Sequence, residues 1–134
     1  MWRKILTFFS AWWPSMIVVA VILYATWVPK PLDPDDIPPI PEIDKIIHAV
    51  MMGGFVGALL FDIRRHRRDI VLSLRLVLKV ALAVAVFSAV EEFVQGILPI
   101  GRPSDPLDLV ADWIGVIFGA LLAPPAVNAV LPRK

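Results

Sequence analysis

The sequence contains no cysteine, and it has only two histidines and one tyrosine among 134 residues. Without cysteine the chain offers no disulfide bond, no thiolate metal ligand and no cysteine nucleophile. It also lacks a His-Glu-x-x-His motif, a Ser-His-Asp order and other recognised catalytic signatures. Charge is scarce over long stretches, because 58% of the residues are hydrophobic and 19% are charged. This composition excludes an ordinary soluble domain of this size and indicates an integral membrane protein.

Four apolar windows are long enough to cross a bilayer, and they cover residues 12–28, 43–61, 77–99 and 107–122. A helix over 107–122 rises only about 24 Å, which is short for a hydrocarbon core of about 30 Å. We expect Pro124 and Pro125 to end or kink this helix, with residues 126–131 supplying the missing length. The sequence therefore predicts one all-α membrane domain over 1–134, a bundle of four transmembrane helices.

Lysine and arginine are unevenly distributed along the chain. Ten of the 13 lie at the two termini or between residues 62 and 79, whereas only two of the 12 acidic residues share those segments. The positive-inside rule then places both termini and the basic block 64–68 on the cytoplasmic side of a plasma or inner membrane. We interpret the basic block as a topology determinant that contacts anionic lipid.

Two local patterns predict packing. Apolar and basic residues alternate at helical spacing over 70–79, which favours a helix lying along the inner headgroup layer. Gly53 and Gly57 are four residues apart in the second window, and this spacing lets another helix approach closely.

The predicted topology brings polar residues from three spans to one depth below the outer headgroups. The set consists of Asp44, Lys45 and His48 at the start of the second span, Glu91, Glu92 and Gln95 at the end of the third, Arg102 in the link, and Asp108 and Asp112 at the start of the fourth. Ionisable residues inside membrane spans are energetically expensive and commonly mark a functional site. We therefore expect most of this set to converge in one pocket, while Glu91 points toward the headgroups.

His48 has more than one interpretation. It lies four residues after Asp44 and shares a helix face with it, so it suits a general base that Asp44 orients. It also suits a metal ligand together with Glu92 and Asp108, or a hydrogen-bonded residue with no chemical role.

The two cations of the set have alternatives as well. Lys45 is able to hold a phosphate or to extend its ammonium group to the lipid headgroups. Arg102 suits bidentate contact with a phosphate or carboxylate, and its structural alternative is a salt bridge to Asp105 or Asp108.

The ordered motifs resemble those of the VanZ-like family of small membrane proteins. They read Asp44-Lys45-x-x-His48, Glu92-x-x-Gln95, Gly101-Arg102 and Asp108-x-x-Ala111-Asp112-x-x-Gly115, with Gly119 following. The resemblance implies a four-span protein of the cell membrane, in a family some of whose members are linked to low-level resistance to the glycopeptide teicoplanin. Asp112 departs from the family pattern, in which asparagine is more usual, and this adds a possible negative charge to the site.

Three functions follow as hypotheses. The first is an enzyme acting on a lipid headgroup or a lipid-linked cell-wall component at the extracytoplasmic face. Its candidate catalytic residues are Glu92, His48 and Asp108, and its candidate substrate-binding residues are Arg102, Lys45, Asp44, Gln95 and Asp112, with Asp108 and Asp112 alternatively binding a divalent ion. The second is a non-enzymatic accessory protein that binds such a lipid or a glycopeptide. The third is a proton-coupled transporter. Membrane lipids are the expected partners, and nucleic acid is not.

Overall fold

The computed structural model describes residues 2–28, 42–98 and 104–132, and the regular structure within them is entirely α-helical. Four helices follow one another along the chain: α1 (Trp2–Trp27), α2 (Ile43–His66), α3 (Leu74–Ile97) and α4 (Pro106–Val130). Three are long and apolar enough to cross a membrane, namely α2, α4 and the part of α1 from Thr7 to Trp27. The all-α prediction is confirmed, and so is the capacity of three helices to span a membrane. A fourth span through α3 stays a prediction.

The link between α2 and α3 differs from its prediction. A helix over 70–79 is wrong, because residues 70–73 are not helical and α3 begins at Leu74. Ser73 has extended dihedral angles (φ −65°, ψ 154°), and its hydroxyl accepts a hydrogen bond from the N–H of Leu76 at 3.3 Å. Serine in this position caps a free N–H of the first turn and fixes the start of the helix. The predicted surface helix is therefore a short link followed by the opening turn of α3.

α4 continues past Pro124 and Pro125 to Val130. The expectation that these prolines end the helix is wrong, whereas the expected extra length beyond residue 125 is confirmed. Each proline removes one N–H donor but has a φ angle close to the helical value, so transmembrane helices tolerate it when the turns on either side hold. With 25 residues, α4 is long enough to exceed a hydrocarbon core of about 30 Å.

α1 contains a break near its first third. Trp12 has non-helical dihedral angles (φ −113°, ψ 15°), and Pro14 follows two residues later. Proline has no N–H to donate to the carbonyl of Ser10, which loses its helical partner. Nη2 of Arg65 in α2 donates to the carbonyls of Ser10 and Ala11, both at 2.8 Å. A side chain of α2 thus satisfies backbone groups that the break in α1 leaves free.

Asp62 completes this contact from one turn earlier in α2. Its Oδ2 accepts hydrogen bonds from the N–H of Ser15 at 3.0 Å and from the Ser15 hydroxyl at 2.6 Å. Its Oδ1 lies 3.7 Å from Nη2 of Arg65, and Asp62 is only 1% exposed. Asp62 and Arg65 therefore bind opposite sides of the break and fix α1 against α2.

Arg64 is also used inside the protein. It is 3% exposed, its Nε donates to the carbonyl of Leu131 at 3.1 Å, and its Nη1 donates to the carbonyl of Ile70. These carbonyls lie just after the ends of α4 and α2, where helices leave acceptors unpaired. Contact with lipid headgroups, which we predicted for the whole basic block, is wrong for Arg64. Arg67 is exposed and remains available for it.

α2 and α4 touch backbone to backbone along a glycine seam formed by Gly53, Gly115 and Gly119. A Cβ atom on Gly119 would lie 2.7 Å from the carbonyl oxygen of Gly53, and one on Gly53 would lie 2.9 Å from that of Gly115. A Cβ atom on Gly115 would collide with the backbone of Ala49. The close approach predicted for Gly53 is therefore correct, and its partner glycines lie in α4. A Cβ atom added at Gly57 would make only an ordinary van der Waals contact, 3.7 Å from Cβ of Ala123.

The interior and the exterior of the bundle are both apolar. The largest apolar side chains that are fully buried are Ile22, Met52, Val56, Leu60 and Val84. Large apolar side chains also cover the outside, including Val50, Phe93, Leu121 and Leu122, each more than half exposed. Lipid tails suit such an exterior, and this agrees with spans that pack by shape and not by a difference in hydrophobicity.

Candidate functional site

Polar side chains from α2, α3 and α4 meet at one end of the bundle. His48 lies five residues after the start of α2, Glu92 five residues before the end of α3, and Asp112 six residues after the start of α4. At 1.5 Å per residue, each is about 8 to 9 Å from its helix end. Arg64 lies at the opposite end of α2, about 24 Å from His48 along the axis. We call the set Lys45, His48, Glu92, Asp108 and Asp112 the polar cluster.

His48 lies between two aspartates of α4. Its Nδ1 is 2.9 Å from Oδ1 of Asp112, and its Nε2 is 3.7 Å from Oδ2 of Asp108. The aspartates are one helical turn apart, so each faces a different nitrogen of the imidazole. All three residues are buried, with 8% exposure or less. Asp112 therefore orients His48, and the predicted role of Asp44 in doing so is wrong.

Lys45 is surrounded by carboxylates. Its Nζ lies 3.1 Å from Glu42, 3.0 Å from Asp44, 3.4 Å from Asp105 and 3.5 Å from Asp108. These contacts join the start of α2 to the start of α4. They also occupy Asp44, whose half-exposed side chain turns to Lys45 and not to His48. An ammonium group shared in this way has little capacity left for an anionic ligand.

Glu92 binds Asp105, the residue directly before α4. Its Oε1 accepts a hydrogen bond from the N–H of Asp105 at 2.7 Å, across 13 positions of the chain. Asp105 in turn caps α4, because its Oδ1 accepts from the N–H of Leu107 at 2.9 Å. From the sequence, Asp105 was expected only as a possible partner of Arg102. The stronger signal was aspartate directly before Pro106, since this order is typical of a helix start.

The end of α1 contributes two contacts that the sequence did not indicate. Nε2 of Gln95 donates to the carbonyl of Thr26 at 3.1 Å, and Nε1 of Trp27 donates to Oε1 of Glu91 at 2.9 Å. Glu91 is only 3% exposed, so its expected position among the headgroups is wrong. Gln95 is buried as expected, but its amide is bound to α1. Tryptophan at the end of a span is typical of an interfacial anchor, so nothing in the sequence indicated Trp27 as a hydrogen-bond donor to Glu91.

Three buried carboxylate oxygens of the polar cluster have no hydrogen-bond partner among the described residues. They are Oε2 of Glu92, Oδ2 of Asp112 and Oδ1 of Asp108, the last of which lies 3.5 Å from Nζ of Lys45 as an ion pair without a hydrogen bond. Oε2 of the adjacent Glu91 is in the same condition. Buried acceptors are nearly always paired, and leaving one unpaired costs about 1 to 3 kcal/mol. Such atoms mark positions at which a water molecule or a ligand donor would be held.

Two predictions for the site have different outcomes. Arg102, expected to bind an anionic group, lies outside the described residues. The histidine, aspartate and glutamate side chains of residues 2–28, 42–98 and 104–132 include no group of three placed to hold a metal ion. A shared metal site of His48, Glu92 and Asp108 therefore finds no support in this part of the chain.

The arrangement favours proton transfer and donor recognition over attack by a side-chain hydroxyl. A carboxylate on Nδ1 fixes the orientation of His48 and leaves Nε2 to exchange a proton. The nearest buried hydroxyls are engaged within their own helices, since Ser88 donates to the carbonyl of Ala85 at 3.0 Å and Thr26 to that of Ile22 at 2.8 Å.

Comparison with known proteins gives one result. No curated protein and no solved structure matches the chain. The model of the VanZ/LLP1 family matches residues 2–128, which is nearly the whole sequence and includes every residue of the polar cluster. The chain therefore belongs to the VanZ/LLP1 family.

Proposed function

We propose that this protein is a multi-pass protein of the cell envelope that binds, and acts on, the polar headgroup of a membrane lipid or a lipid-linked cell-wall component. The observation that carries the proposal is the buried pair of His48 and Asp112, 2.9 Å apart within a cluster of carboxylates that have free oxygens. Buried ionisable groups in membrane spans are costly and are a sign of function.

The depth of the cluster favours a lipid as the ligand. A site about 8 Å from the helix ends lies where headgroups meet acyl chains. An apolar groove of about 510 Å³ begins beside it on the outer surface of α2 and α4, and its lining includes Ile46, Ala49, Phe118 and Leu122. Such a groove accommodates an acyl chain while the headgroup reaches the polar cluster over the ends of the two helices.

The distribution of charge supports an extracytoplasmic position for the site. In this proposal α3 is the fourth span and both termini are cytoplasmic, because most of the lysines and arginines then lie on the cytoplasmic side. The polar cluster is then at the outer leaflet, where envelope precursors and glycopeptides such as teicoplanin meet the cell. A contribution to teicoplanin resistance is part of the proposal.

His48 is the proposed acid and base of the reaction. Asp112 holds its Nδ1, and Nε2 faces the 3.7 Å gap to Asp108. A hydroxyl or ammonium group of a headgroup lying beside these two atoms would be within hydrogen-bond distance of both the imidazole and the carboxylate. Glu92 and Asp108 would accept further hydrogen bonds from the headgroup.

Turnover by purified protein tests the catalytic part. Protein reconstituted with phospholipids and lipid-linked cell-wall precursors is incubated and analysed by mass spectrometry. We expect a product with the wild type and at least a hundredfold slower conversion with His48→Gln or Asp112→Asn, in line with the usual contribution of general acid–base catalysis. Asp69→Asn, which removes an exposed carboxylate from the link after α2, is the matched control and should retain the wild-type rate. Unchanged substrates with every protein would refute catalysis.

Binding without turnover is the second candidate. It is favoured by the hydroxyls of Ser88 and Thr26, which donate to carbonyls of their own helices and are therefore less available as nucleophiles. Ligand retained by the wild type and lost with Glu92→Gln, with no product, would establish it. Deletion of the gene with no change in teicoplanin susceptibility would remove the resistance role from either version.

Transport is the third candidate and has less support. The buried residues of α2 between His48 and Asp62 are all apolar: Met52, Phe55, Val56 and Leu60. Flux of protons in proteoliposomes, abolished by Glu92→Gln, would place transport ahead of the other two.

A further inference from the structure

We propose that the polar cluster recognises its lipid through a primary ammonium group on the headgroup. This inference rests on the proposed function, and it names the headgroup chemistry. It also reverses the expectation from the sequence, in which Lys45 and Arg102 hold an anionic group.

Charge is the first argument. Carboxylates outnumber cations where the three helices meet. The cations there, among the described residues, are Lys45 and His48, and the carboxylates are Glu91, Glu92, Asp105, Asp108 and Asp112. Adding the charge of Arg102 does not reverse the excess. A phosphate or carboxylate placed in the cluster would be repelled by like charges, whereas a cation would be attracted.

The second argument is that Lys45, the lysine of the polar cluster, already binds carboxylates of the protein. Lys45 is within 3.5 Å of four carboxylates, and its side chain is only 22% exposed. Three N–H donors cannot satisfy four carboxylates and also bind an anionic ligand. The carboxylate oxygens of the cluster therefore outnumber the hydrogen-bond donors that Lys45 supplies.

The free oxygens are the third and independent argument. Asp112 is 0% exposed, and it binds His48 with Oδ1 while Oδ2 has no partner. Glu92 is 5% exposed, and it binds Asp105 with Oε1 while Oε2 has no partner. Each carboxylate thus uses one oxygen to hold the protein together and leaves the other buried and unsatisfied.

A primary ammonium group matches this arrangement. It carries three N–H donors and a positive charge, and its hydrogen bonds to carboxylates are charge-assisted. A quaternary ammonium has the same charge but no N–H. A divalent ion would require several oxygens converging at about 2.0 to 2.6 Å, and the described residues include no such group of three.

Phospholipids that differ only in N-methylation give the decisive test. Protein in nanodiscs is titrated with short-chain phosphatidylethanolamine, its monomethyl and dimethyl forms, phosphatidylcholine and phosphatidylglycerol, and occupancy is read by native mass spectrometry. We expect affinity to fall with each methyl group, by about tenfold or more between phosphatidylethanolamine and phosphatidylcholine. Phosphatidylglycerol should bind most weakly. Equal affinities across the methylation series, or tighter binding of phosphatidylglycerol, would overturn the proposal.

Two competitors identify the source of the bound group. Ethanolamine in solution should not displace the phospholipid at comparable concentration, because the acyl chains add to affinity; displacement would show that the site takes a free amine and would overturn its assignment to a lipid. Displacement of the phospholipid by Ca²⁺ at a comparable concentration would overturn the proposal in favour of a metal site.

Variants locate the preference within the cluster. Asp112→Asn and Glu92→Gln should reduce the ratio of affinities for phosphatidylethanolamine and phosphatidylcholine toward one, and Asp69→Asn should leave it unchanged. Circular dichroism and gel filtration check that each variant is folded, and the methylation series on the wild type stands without them. Binding that depends on Glu92 but ignores the amine would refute this inference and keep the proposed function. Binding that depends on neither Glu92 nor His48 would refute both.

Discussion

Nδ1 of His48 and Oδ1 of Asp112 lie 2.9 Å apart, although the two residues are 64 positions apart and belong to different helices. The glycine seam begins next to this pair, since Ala49 follows His48 directly and its backbone touches Gly115, three residues after Asp112. The same backbone contact that packs α2 against α4 therefore sets the geometry of the polar cluster.

The His48–Asp112 pair should show strong energetic coupling. His48→Ala and Asp112→Ala should each lower the free energy of unfolding by about 1 to 3 kcal/mol, because each leaves a buried polar partner unsatisfied. The loss of unfolding free energy in the double variant should be smaller than the sum of the two single losses, by at least about 1 kcal/mol. Equilibrium unfolding in mixed micelles measures this cycle. Strictly additive losses would mean that the two side chains do not interact.

The glycine seam should not tolerate even one methyl group. Gly115→Ala and Gly119→Ala should each destabilise the protein by about 1 to 3 kcal/mol, because the added Cβ meets the backbone of α2. Gly54→Ala is the matched control in α2, since a Cβ there has nothing within 4 Å. This change should be neutral or stabilising by up to about 1 kcal/mol through helix propensity. Thermal unfolding in detergent compares the three, and a loss at Gly54 equal to that at Gly115 would contradict the seam.

The contact at the break of α1 should depend on Pro14. Arg65→Met should cost about 1.5 to 3 kcal/mol in the wild type, because the carbonyls of Ser10 and Ala11 lose a charged donor. In a Pro14→Ala background the alanine N–H is able to pair with Ser10, so the same change should cost less. Unfolding free energies of the four proteins test this. An equal cost of Arg65→Met in both backgrounds would show that Arg65 does not serve the break.

Arg64 and Arg67 should differ sharply despite their proximity. Arg64→Met should lower the free energy of unfolding by about 1.5 to 3 kcal/mol, because the carbonyls of Leu131 and Ile70 lose their donor. Arg67→Met changes an exposed side chain and should stay within about 0.5 kcal/mol of the wild type. Chemical unfolding of both variants measures the difference. A loss at Arg67 as large as that at Arg64 would contradict the buried role of Arg64.

Cysteine labelling should establish the topology, since the chain has no cysteine of its own. Glu42→Cys and Ser104→Cys should react with an impermeant maleimide in intact cells, whereas Arg67→Cys should react only after the membrane is opened. This pattern requires α2 and α3 each to cross the bilayer, with the polar cluster outside. Labelling of Arg67→Cys alone in intact cells would invert the proposed orientation and move the cluster to the cytoplasmic side.

Much of the fold was accessible from the sequence because hydropathy and charge vary over whole helices. The apolar windows located all four helices. The ionisable residues near the ends of these windows, His48, Glu92, Asp108 and Asp112, were predicted to be neighbours. Their shared depth follows from the 1.5 Å rise of a helix, which needs no knowledge of neighbouring elements.

Side-chain partners were not accessible, because they depend on how each helix is rotated about its axis. Asp44 was predicted to orient His48 because the two share a face of α2, whereas the partner in the structure, Asp112, depends on the phase of α2 against α4 that the glycine seam fixes. The burial of Arg64 followed from unpaired carbonyls at the end of α4 and in the link after α2, which composition does not reveal. Glu91 was misplaced for a similar reason, since its partner Trp27 comes from α1.

The glycine seam also restricts the routes by which the proposed lipid would reach the polar cluster. Gly53, Gly115 and Gly119 leave no gap between α2 and α4, so a headgroup has no sideways passage between these two helices. Under the proposed function, the headgroup would enter over the ends of α2 and α4, past Lys45 and Asp105, or from the side of α3. Lys45 and Asp105, which join the starts of α2 and α4, would therefore lie on the first of these two routes.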